Sequence, residues 1–300
     1  LQRYDEAKSA IEEALRQSHL DASIRASCYN LLAEVAVRSG KLPDAVSLCM
    51  KSLEIAPSQV MAQWFLSLLY FDLHEYEKAI GVLKRILVLI KKSQTERAAC
   101  ISSDLHLTTE DVHRRLALTY EAASRYSEAL DDYIWVLKRV PADEGALQGF
   151  LRCVEKVDNS RTAIEKLKAA VRVAPQRYEF FLPLAMHHRS VGDSEGAFGY
   201  LERAIEAEPA NGNLYALAVR WRMESGKMDE ADRLIAVAEE KQIRAFDLHK
   251  AALQVALAKG DIHSAFRHLE LMAQTSDADL TPLRNRLSVL AAKLSSHATP

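Results

Sequence analysis

Histidine, cysteine, arginine and tryptophan are the side chains whose chemistry comes first in this chain. His187 and His188 are neighbours, and His263 and His268 are five residues apart. A helical metal site needs two ligands on one face at i and i+4, and neither pair has that spacing. The four cysteines, Cys28, Cys49, Cys100 and Cys153, show no CxxC pairing. They read as reduced thiols filling helical surfaces, which points to the cytoplasm or another reducing compartment. No glycine-rich phosphate loop and no GxSxG elbow occur. Pairs such as Glu165-Lys166, or Glu128 near Asp131, are what solvated helix faces carry. No catalytic, cofactor or metal site is therefore expected, and no enzyme. The chemistry that remains is recognition: arginine forks that suit carboxylates, and Trp64, a side chain of the type that anchors interfaces.

The bulk properties narrow the partner. Lysine and arginine number 39 and acidic residues 41, so the net charge of −2 gives no overall field to gather nucleic acid. The most apolar run, Val60 to Leu73, is interrupted by Gln63 and Asp72 and is too short to span a bilayer. Hydrophobic residues make up 49% and charged residues 27%, with few glycines and prolines, as in an all-helical chain.

The elements that must position these side chains follow from an internal period. Ala7, Ala45, Ala79, Ala129, Ala163, Ala197, Ala231 and Ala265 lie at spacings of 38, 34, 50, 34, 34, 34 and 34. A fixed period near 34 means stacked helix pairs, each too small to bury its own apolar face. Pro57, Pro141, Pro175 and Pro209 follow an alanine by twelve residues and stop the second helix of a pair. Gly40, Gly192, Gly226 and Gly260 precede one by five and suit a positive φ at the hairpin tip, where Asp158-Asn159 substitutes in another copy. Thirteen before the alanine stands Leu32, Leu66, Leu116, Phe150, Leu184, Ala218 or Ala252, the start of an apolar stripe on the first helix.

On these residues the chain resembles the tetratricopeptide repeat family over essentially all its length. The resemblance implies an all-α, right-handed α-solenoid forming one domain over 1–300. A partial repeat with its second helix alone covers 1–20, with repeats at 26–59, 60–90, 110–143, 144–177, 178–211, 212–245 and 246–278. An insertion at 91–109 and a capping helix at 281–294 complete it. Because the chain opens inside a repeat, it reads as part of a longer protein.

The resemblance also implies which residues line the inner face, at the second, fifth, ninth, twelfth and thirteenth positions of each unit. In the repeat from 60 these are Met61, Trp64, Leu68, Phe71 and Asp72, an apolar set to be covered by the insertion or by a ligand segment. Further along, the face turns mixed polar, with Arg114, Arg152, Arg189, Arg220 and Lys250 offering cations to an acidic segment, or neutralised by Glu121, Glu155 and Glu224. The carboxylate clamp of heat-shock co-chaperones is not matched, because Glu34, Phe65 and Asp111 replace needed donors. The implied function is a non-catalytic scaffold for a protein or peptide partner with an apolar or acidic segment, in the groove or within an assembly. Homo- or hetero-oligomers both stay open. The alternatives are a regulatory domain of a larger enzyme or secretion protein, and RNA reading of the pentatricopeptide kind.

Local irregularities carry their own expectations. Thr108 with Asp111 forms a helix-capping pair. Gly149 lets two helices approach, and Pro183 kinks its helix. Four extra residues near Gln17 to Asp21 lengthen a turn. Leu283, Leu287, Leu290 and Leu294 form one face of the closing helix, and Ser295 to Pro300 fray.

Overall fold

The computed structural model describes residues 2–17, 19–95, 107–157, 159–276 and 278–297. Every regular element among them is helical. The chain divides into two compact units, Leu1–Ala174 and Pro175–Pro300.

The first unit holds α1 (Gln2–Leu15) and four hairpins: α2 (Ala22–Arg38) with α3 (Leu42–Ile55), α4 (Val60–Asp72) with α5 (Tyr76–Thr95), α6 (Thr109–Ala122) with α7 (Tyr126–Arg139), and α8 (Glu144–Lys156) with α9 (Ser160–Val173). The second holds α10 (Phe181–Ser190), preceded by a 3₁₀ turn at Tyr178–Phe180 and paired with α11 (Ser194–Ala207). Then come α12 (Gly212–Glu224) with α13 (Met228–Glu240), α14 (Phe246–Lys259) with α15 (Ile262–Thr275), and a last helix α16 (Thr281–His297). Within each unit, helices pack chiefly on their sequence neighbours, as in a quasi-one-dimensional stack.

The tips of the hairpins turn where the sequence places them. Gly40, Gly192, Gly226 and Gly260 have φ between +74° and +82°. His74 and Ser124 hold the same register position at φ 59° without being glycine. At each tip the next amide donates to a carbonyl of the helix just ended, for example Lys41 to Ala36 and Glu75 to Tyr70, at 2.9 and 2.8 Å. The position of Asp158 lies outside the described residues, and Asn159 caps α9 by accepting from the amides of Arg161 and Thr162.

Packing is tightest at the repeated alanine. Ala45, Ala79, Ala129, Ala231 and Ala265 are fully buried and Ala197 nearly so, whereas Ala7 and Ala163 are half-buried. Gly149 of α8 faces Tyr133 of α7 so closely that a Cβ there would fall inside the ring's van der Waals envelope. Thr108 and Asp111 form a complete capping box at the start of α6.

Three expectations change. Pro183 sits in the first turn of α10, after the 3₁₀ turn, where its missing amide breaks no intrahelical bond, so it starts a helix instead of kinking one. On α16 Leu287 is buried, but Leu283 and Leu290 are 37% and 44% exposed, so the leucine face does not close on the hairpin before it. The backbone of Ser295 to His297 is helical, not frayed, and 298–300 lie outside the described residues. Of the expected insertion, Lys91 to Thr95 continue α5 as helix, and 96–106, which include Cys100, lie outside the described residues.

Candidate partner-binding groove

α2 and α4 are the first helices of consecutive hairpins, and between them runs an open cavity of about 920 Å³. Its apolar lining comes from Leu31 and Val37 of α2 and from Met61, Trp64 and Phe65 of α4. Leu31 is 51% and Met61 42% exposed, while Trp64 and Phe65 are half-buried. Their opposite faces build the core, where Leu32, Ala33, Ala62 and Leu66 are buried. Both faces of these helices are therefore apolar, and only one is covered.

Polar groups at the edge of the groove are held from beneath. The Asn30 amide nitrogen donates to Gln59 Oε1 at 3.0 Å. The buried Ser52 hydroxyl donates to the Ala26 carbonyl at 2.9 Å, tying α3 to α2. Gln63 donates to the Pro57 carbonyl at 2.7 Å and fixes the start of α4. Glu34 and Arg38, one turn apart on α2, line the cavity and are exposed.

The other inward residues lie elsewhere. Leu68 and Phe71 of α4 are half-buried and outside the cavity lining. Phe71 is covered by the Arg115 guanidinium, 4.2 Å from its ring, and by the edge of Tyr76. Arg114 bonds Asp111 at 2.8 Å and also holds Asp143. Arg152 donates to Glu121 at 2.9 Å, and the Tyr133 hydroxyl donates to the same carboxylate at 2.9 Å. Desolvation pushes the Glu121 carboxyl up, but these bonds outweigh it and leave its pKa below the usual range.

In the second unit Arg189 pairs with Glu224 and lies 4.6 Å over Trp221. Arg220 and Lys250 are exposed. Glu121 and Glu224 thus neutralise Arg152 and Arg189, while Arg114 takes two aspartates instead. Among the described residues no group of three or more His, Cys, Asp and Glu could hold a metal ion. None of their helices is long and apolar enough to cross a membrane.

Position counting picked out Met61 and Trp64 but missed Leu31, Val37, Arg38 and Phe65. The same count applied one repeat earlier gives Ser27, Asn30, Glu34, Val37 and Arg38, all of which line the cavity. That register was the available signal.

The tetratricopeptide repeat family model matches residues 1–60, which include α2 and the start of the groove. The repeat is of the tetratricopeptide kind. Two curated proteins resemble the chain. The BBSome complex member BBS4 of Bos taurus is 24% identical over 72% of this chain and 38% of its own. The TPR repeat-containing protein YpiA of Bacillus subtilis (strain 168) is 21% identical over 69% of this chain and 46% of its own. The chain thus spans less than half the length of these tetratricopeptide relatives. Among solved structures, the TPR2AB-domain:pHSP90-complex of yeast Sti1 aligns at 14% identity and TM-score 0.41, over 89% of this chain and 98% of that one.

Proposed function

We propose that this tetratricopeptide chain is a non-catalytic scaffold that seats a segment of a partner protein in the groove between α2 and α4. One observation supports the reading above the rest: Trp64, Met61 and Leu31 form an apolar surface beside a cavity of about 920 Å³, while the opposite faces of the same helices fill the core. Soluble proteins seldom leave such a face open without an occupant. The match to a BBSome complex member is consistent with a place in an assembly.

Pull-downs with wild type, Trp64→Ala and Arg152→Glu test the reading. A central aromatic anchor carries more than about 1.4 kcal/mol, so Trp64→Ala loses at least tenfold in partner affinity. Arg152→Glu, whose salt link to Glu121 lies away from the cavity, keeps the partner. Unchanged capture by Trp64→Ala moves binding off this groove.

A further inference from the structure

The dimensions and charges of the groove describe what fits it, and this inference rests on the reading just given. On α2 its wall runs from Ser27 to Arg38, about 16 Å at a rise of about 1.5 Å per residue. Spread over that length, about 920 Å³ leaves a cross-section of about 57 Å². A helix with side chains is about 10–12 Å across and needs roughly 80–110 Å². An extended chain occupies about 48 Å², from its spacings of about 4.8 and 10 Å to neighbouring chains and layers.

The chemistry of the walls agrees. Asn30, Glu34 and Arg38 form an i, i+4, i+8 row along α2, with successive members about 6 Å apart. Alternate side chains of an extended peptide fall on one side at about 6.6 Å, close to the same step. The facing wall from α4 is apolar, through Met61, Trp64 and Phe65. Asn30 Oδ1 has no donor, and an extended chain brings free backbone groups, whereas a helix satisfies its own. Glu34 and Arg38 make no ion pair among the described residues, unlike Arg114 and Arg152 of the same unit.

We propose that the occupant is an extended segment of about five residues alternating polar and apolar side chains. It sets a basic residue against Glu34, an acidic one two positions away against Arg38, and apolar residues against Met61, Trp64 and Phe65. A short run with both charges on one side and leucine-like residues on the other is the motif to look for in a partner.

The test uses the full chain and fluorescein-labelled, acetylated and amidated peptides with the core Ser-Leu-Lys-Leu-Glu, made in both chain directions. Controls are the charge-exchanged core Ser-Leu-Glu-Leu-Lys, also in both directions, and a side-chain-stapled helical form of the first. Fluorescence anisotropy gives the order of affinity. Wild type prefers one direction of the first core by about tenfold over its charge-exchanged form, from two exposed ion pairs gained against two repulsions. The double variant Glu34→Lys with Arg38→Glu reverses that order.

An unchanged order in the double variant, tighter binding of the stapled helix, or no binding by any linear core overturns the inference. Trp64→Ala separates the two levels. If it loses the peptide while charge exchange has no effect, the groove reading stands and the motif falls; if it binds every peptide as wild type does, the groove reading falls as well.

Discussion

Gly149 and Tyr133 meet where α8 crosses α7, and the contact leaves no volume for even a methyl group. In an open helix, alanine would gain about 1 kcal/mol over glycine. Here overpacking costs about 1–3 kcal/mol and wins, so Gly149→Ala lowers the unfolding free energy in urea. Tyr133 also holds Glu121, so the cost spreads into that network. His249 and His268 stack 5.8 Å apart between α14 and α15, each nearly excluded from solvent. Burial pushes the His268 pKa from 6.5 to about 4, helped by Arg267 and opposed by Glu239. His249 is lowered in the same direction, with Arg244 also near it. The folded chain therefore binds fewer protons than the unfolded one in this range. Stability is at its full value above pH 6.5 and drains as the pH falls toward 4, by on the order of 2 kcal/mol. Melting temperatures at pH 7 and pH 5 check this, and His268→Leu should flatten the difference between them.

At the scale of the element, caps and tips decide where helices begin and end. Thr108→Ala removes half of the capping box on α6 and should cost about 1 kcal/mol, measured as a shift in denaturation midpoint. This cap was legible because its two residues are local and their spacing is fixed by the first turn. The glycine tips were legible for the same reason, since φ is a property of one residue. Pro183 was not, because a 3₁₀ turn before α10 moved the helix start to within two residues of it. The α16 leucines were not either. Periodicity marks an apolar side, yet only the neighbouring hairpin decides how much of it is covered. The same holds at the candidate site: Phe71 looked as available as Trp64 until Arg115 was found lying over it. Composition placed the apolar side of α4, and long-range packing chose which part stayed open.

At the scale of the molecule, each helix leans mainly on its sequence neighbours, so damage should stay near where it is made. In Gly149→Ala, hydrogen exchange should speed up most in α6 to α9 and least in α12 to α15, which belong to the other compact unit. Uniform acceleration through both units would mean a single cooperative block. The cysteines make one of these units separately observable. Cys28, Cys49 and Cys153 are buried, and all belong to Leu1–Ala174. Burial pushes the Cys49 and Cys153 thiols up to about 12. At neutral pH almost none of either is thiolate, so a maleimide must wait for α3 or α8 to open. Mass-resolved alkylation at these two positions would serve as a native clock for the breathing of the groove-bearing half, with no label to install.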